Sequence, residues 1–148
     1  MNKSLVQAVM GEACGCALVM LENATYIQGE LVKVRMNDAL RAQTEEVCAA
    51  MIGTKHDIFS ELFELNELLG SGASADVIRS RVDRIVRWFE EDIAQMHQLV
   101  MALQAASEQD RLCVSAYVLV AESAANILRA FNRTAVAADS LRNEADGT

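Results

Sequence analysis

Apolar residues recur at steps of three and four through two neighbouring stretches of the chain. Ile58, Leu62, Leu65 and Leu69 form the first set, and Ile78, Val82, Ile85 and Phe89 form the second. Such steps keep each set on one face of a helix. Between them lies Gly70-Ser71-Gly72-Ala73-Ser74. Gly70 is placed to take the left-handed position that ends a helix, and Ser74, with Asp76 behind it, to start the next. So short a link folds the second helix back along the first. The pattern predicts a helical hairpin.

The remaining apolar periodicity adds two helices. Ser4 is the expected cap of a first helix that runs to about Glu22, with Val6, Val9, Met10, Ala13, Ala17 and Met20 apolar. Asn23-Ala24-Thr25 reads as punctuation, and Thr25 followed by Gln28 matches a capping box. A second helix is expected from Tyr26. Met36, Val47, Ile58 and Leu69 recur every eleven residues, as do Leu40, Met51 and Leu62. That phase crosses Gly53 unbroken and favours one continuous helix, because mid-helix glycine costs only about 1 kcal/mol relative to alanine. The helix after the turn is expected from Ala75 to about Ala105, its seam continuing through Ile93, Met96, Val100 and Leu103, with Asp92 a polar intruder. Ser107 with Asp110 is the expected start of the last helix. The whole reads as an all-α antiparallel bundle of four main helices, one domain over residues 1–140, with a frayed tail over 141–148.

Charges beside the hairpin seam fit the same architecture. If the turn centres near Gly72, residues whose numbers add to about 144 or 145 lie level. Glu64 then faces Arg81, and Glu61 faces Arg84. Asp57 and Arg87 also fit, with Arg87 turned further toward solvent. The arginines are therefore expected in an ion-pair ladder rather than on a nucleic acid.

Composition narrows the class. The chain has no proline, and 52% of its residues are hydrophobic, which favours long aliphatic helices over sheet. A net charge of −8 repels phosphate backbones, so no nucleic-acid partner is expected. Cys14, Cys16, Cys48 and Cys113 lack the spacing of a disulfide framework and suit a reducing cytoplasm. Gln7 and Glu12 interrupt the N-terminal apolar run, and no small-residue cleavage site follows, so a signal peptide fits poorly. The Leu112–Leu128 segment carries one charge, Glu122. It is long enough to cross a membrane, but Glu122, Ser123 and Asn126 at mid-length speak against that.

Candidate chemistry is sparse. His56 and His97 have no glutamate three residues before them and no second histidine four away, as metal-binding helices need. Glu61, Glu64 and Glu67 are spaced by three, as magnesium-dependent all-α hydrolases space carboxylates, but no second carboxylate pair follows on another helix. Cys14 and Cys16 point about 160° apart on a helix and cannot share a copper ion. No catalytic, metal or cofactor-binding residue is assigned, and no cofactor is expected.

What remains is apolar helix surface. The last helix is apolar over well over half its circumference, its polar residues confined to a stripe of Ser115, Glu122, Asn126, Arg129 and Arg133. Surface helices normally show a narrower apolar arc. The chain is therefore expected to act as a non-enzymatic protein–protein interaction module, of adaptor, secretion-chaperone or inhibitor type. It is expected to pair with itself as a homodimer through Val120, Ala124 and Phe131, and to bind another protein as well. The alternative is a metal-dependent nucleotide or phosphate hydrolase using the Glu61-Glu64-Glu67 stripe.

Overall fold

The computed structural model describes residues 1–146. They form four α-helices: α1 (Lys3–Glu30), α2 (Asp38–Gly70), α3 (Ala75–Gln109) and α4 (Val114–Asp146). One 3₁₀ turn, Leu31–Lys33, follows α1, and another, Arg111–Cys113, precedes α4. Each helix packs on the one before it, and α4 closes the ring by packing on α1. Short links make successive helices run in opposite directions, so the chain is an all-α antiparallel bundle. The hairpin at its centre pairs helices of 33 and 35 residues, each about 50 Å long.

The turn of that hairpin differs in detail from its expected form. Gly70 remains helical, and Gly72, at φ 74°, is the left-handed residue. The Ala73 amide then donates to Leu68 O, and the Ser71 amide to Glu67 O, so the last carbonyls of α2 are satisfied. Ser74 caps α3 as expected, its hydroxyl accepting from the Val77 amide. α2 runs unbroken through Gly53, as the eleven-residue phase requires.

Three boundaries fall elsewhere than the sequence suggested. Asn2, not Ser4, caps α1, its side chain accepting from the amides of Ser4 and Leu5. α1 passes straight through Asn23-Ala24-Thr25, because Asn23 donates back to Val19 O within the helix and Ala24, Ile27 and Leu31 continue the buried face. The true break is Val34, in extended conformation, followed by Asn37 as cap of α2. Arg41 closes this connection by donating to Leu31 O and Val34 O. Likewise α3 continues to Gln109, and Asp110 rather than Ser107 makes the break, its carboxylate accepting from the Leu112 amide. Ser107 lies within α3 and donates to Gln104 O.

α4 extends past Ser140 as well. Leu141 is buried, and Arg142 bonds Asp83 of α3 at 2.8 Å, so the chain through Arg142 belongs to the bundle rather than to a frayed tail. Residues 147–148 lie outside the described residues. Two stretches, Lys3–Lys33 and Arg111–Glu144, are long and apolar enough to cross a membrane by length and composition, and both pack as bundle helices.

Candidate functional site

α4 has two apolar faces. One carries Ala116, Val120, Ser123, Ile127, Ala130 and Thr134 into the bundle. The other carries Val114, Val118, Ala121, Ala125, Leu128, Asn132 and Val136. At about 100° per residue these lie within about 40° of a single line, directly opposite the core face. Val114, Val118, Leu128 and Val136 are 42–66% exposed. A bundle helix ordinarily turns charge toward solvent at such positions. Here Asn132 alone is polar.

α1 lies beside α4 and presents a ridge of a different kind. Its outward positions are Ser4, Ala8, Gly11, Gly15, Leu18, Glu22, Tyr26 and Gly29. A Cβ added at Gly11, Gly15 or Gly29 would meet nothing within 4 Å, so packing within the chain does not require glycine there. Between the two ridges runs a polar seam. Arg133 pairs with Glu12 at 3.4 Å, and Asn126 donates to Asn23 at 3.2 Å and accepts from Arg129. A groove lined by Val19, Glu22, Tyr26 and Arg129 opens along it. The opposite side of the bundle is charged, with Glu45, Glu46, Asp57 and Glu64 exposed on α2 and Arg84, Arg87, Glu90 and Glu91 on α3.

The contact residues expected from sequence sit differently. Val120 is fully buried within its own chain. Phe131 is half-buried with its ring edge-on to Phe89 of α3, centroids 6.3 Å apart. Ala124 is half-buried on the same flank. Rotation about the α4 axis turns all three inward or toward α3, and the outward face belongs to the Val118–Leu128 line. Sequence showed that the apolar arc was too wide but not which part of it met the core.

The glutamate stripe is occupied by arginines. Glu61, 8% exposed, accepts from Arg81 at 3.3 Å and pairs with Arg84 at 3.1 Å, while Glu64 also holds Arg81. The glutamates raise the Arg81 pKa, first through the Glu61 bond. Glu67 faces solvent. No group of three or more His, Cys, Asp or Glu side chains among the described residues could hold a metal ion, and both histidines are exposed. The ladder supports a test. Glu64→Arg should cost about 1 kcal/mol or less, since the pair is partly exposed. Adding Arg81→Glu should restore only part of that loss, because the new carboxylate faces Glu61. Urea midpoints of the two single variants and the double variant decide it; full restoration would mean that Glu61 does not feel position 81.

A polar layer crosses the bundle at mid-height. Asp92 of α3 is 6% exposed, and its Oδ2 is buried without a hydrogen-bond partner. Burial pushes its pKa from 3.8 up to about 6; Thr54 of α2 opposes the rise, and the nearby Glu91 and Asp57 reinforce it. Cys16 of α1 is affected by Arg133, Thr134 and Asp92, but burial dominates and lifts its pKa to about 12. Cys48 is raised by burial to about 11. Thiols held protonated in this way are poor nucleophiles. The layer offers one orphaned carboxyl oxygen, and its thiols are buried and protonated.

Comparison with protein-family models, with curated proteins and with solved structures gives no match.

Proposed function

We propose that the chain is a non-enzymatic helical interaction module that works by covering its α1–α4 face with another protein surface, a homodimer being its basal state. The carrying observation is the exposed Val114–Val136 line on α4, set opposite the helix's own core face. Apolar lines of this length on bundle helices mark contact surfaces. The α2–α3 side exposes Phe63, Val77 and Met101 among charged residues, which favours the α1–α4 face as the main contact surface. Four free cysteines, three of them buried, suit a reducing compartment, and we place the protein in the cytoplasm.

Site-specific photocrosslinking tests this reading. A benzophenone amino acid at Val118, introduced in the native host, should give discrete adducts, whether with a second copy or with a different protein. The same probe at Ala49, exposed on α2, should give none. Equal yields at the two positions, or no adduct at Val118, would remove the basis for a contact face.

A further inference from the structure

We propose that a second copy of the chain covers this face, with α4 of each copy lying along α1 of the other about a two-fold axis parallel to the helices. The proposal rests on the interaction-module reading and names its occupant and register. Area permits it: α1, about 42 Å long, and α4, about 50 Å long, lying about 10 Å apart, offer on the order of 900 Å² per copy, near the ~800 Å² per partner typical of specific interfaces.

Shape selects the arrangement. The Glu12–Arg133 and Asn23–Asn126 contacts show that residues of α1 and α4 whose numbers add to about 147 lie at the same height. A two-fold axis parallel to the helices preserves height between copies. Gly11 therefore comes level with Val136 of the second copy, and Gly29 with its Val118. Tyr26 comes level with Ala121. At each of these heights a large side chain meets a small one, which is the condition for two ridges to interdigitate. Glu22, the one charge on the α1 ridge, comes within about one turn of the second copy's Arg129. This accounts for helix-interior glycines that nothing in their own chain requires, each of which costs about 1 kcal/mol relative to alanine. The other two-fold arrangement, α4 on α4, would set the Val118–Leu128 ridge against itself and leave glycine facing glycine.

The experiment uses the full chain in a Cys14→Ser background, which removes the one cysteine that is not buried. Sedimentation at micromolar concentration should give twice 16.2 kDa. Mixing a Gly29→Cys chain with a Val118→Cys chain under mild oxidation should yield a disulfide-linked dimer that neither chain forms alone. Gly15→Leu should weaken dimerisation tenfold or more while leaving the helical content and unfolding temperature of the monomer unchanged or higher. A monomeric parent overturns the proposal; adducts at Val118 to a different protein would then leave the interaction reading standing. Self-crosslinking of an Ala125→Cys chain without the mixed crosslink overturns the register in favour of α4 on α4. A monomer that floats with phosphatidylcholine vesicles overturns it in favour of a lipid surface.

Discussion

Asp92→Asn should raise the unfolding temperature at pH 7.5 by roughly 3–10 °C, a gain of about 1–3 kcal/mol for a chain of this size. Asp92 is 6% exposed with Oδ2 unpartnered, and it joins no ion pair among the described residues. Burial outweighs the opposing Thr54 hydroxyl, favours the neutral acid and raises its pKa from 3.8 to about 6. In the unfolded chain the group ionises near pH 4. Between about pH 4 and pH 6 the folded state therefore binds more protons than the unfolded state, and stability falls as pH rises through that window. Below it both states hold the proton and the penalty vanishes; above it the full penalty applies, at most about 3 kcal/mol. The amide of asparagine removes the ionic cost but leaves a buried polar group, which places the net gain below that limit. The difference between Asp92→Asn and the parent chain should accordingly shrink toward zero near pH 4. Thermal melts followed by circular dichroism at pH 4, 5, 6 and 7.5 measure it. A benefit independent of pH would mean that Asp92 is already neutral at pH 7.5, and a penalty growing with pH that it is paired.

Asp92 also shows where sequence reasoning ran out. Its position on the α3 seam was legible from the spacing of Ile85, Phe89 and Met96, and so was its oddity. Its level near Thr54 followed from the hairpin register, but that Cys16 of α1 joins the same layer did not, because height across a bundle depends on where each connection actually falls. The hairpin was legible except for its left-handed residue, Gly72 rather than Gly70, since its link is short and both flanking patterns are strong. Register followed from the Glu61, Glu64, Arg81 and Arg84 charges. The first connection was misplaced because Thr25 and Gln28 imitate a capping box, whereas Asn37, the functioning cap, lacks the downstream Glu or Gln that would have flagged it. The outward α4 face was hidden by its own composition. When both sides of a helix are apolar, periodicity cannot say which side meets the core. The alignment of Gly11, Gly15 and Gly29 on one outward line of α1 was the missing signal, whereas Gly53, equally exposed and free of neighbours, stands alone on α2.

Phe89→Ala should be among the most damaging single truncations, costing about 3–5 kcal/mol and lowering the unfolding temperature by roughly 6–20 °C. Phe89 is fully buried at the α3–α4 contact, and the ring cannot be replaced without a cavity in a core built largely of smaller aliphatic side chains. Phe131 meets it edge-on at 6.3 Å but is only half-buried, so Phe131→Ala should cost less, about 1–2 kcal/mol. The double variant should lose less than the two single losses together by about 0.5–1.5 kcal/mol, because removing either ring already forfeits the edge-to-face contact. The comparison also assigns Phe131. As a core-edge residue it should lower monomer stability and leave the dimer dissociation constant within about threefold of the parent. As an interface residue it would do the reverse. Denaturant melts at a concentration where the chain is monomeric, set beside sedimentation equilibrium of the same variants, separate the two. Loss of dimer without loss of monomer stability would move Phe131 from the α3–α4 seam to the contact face and require α4 to be rotated toward its α3 flank in the assembled state.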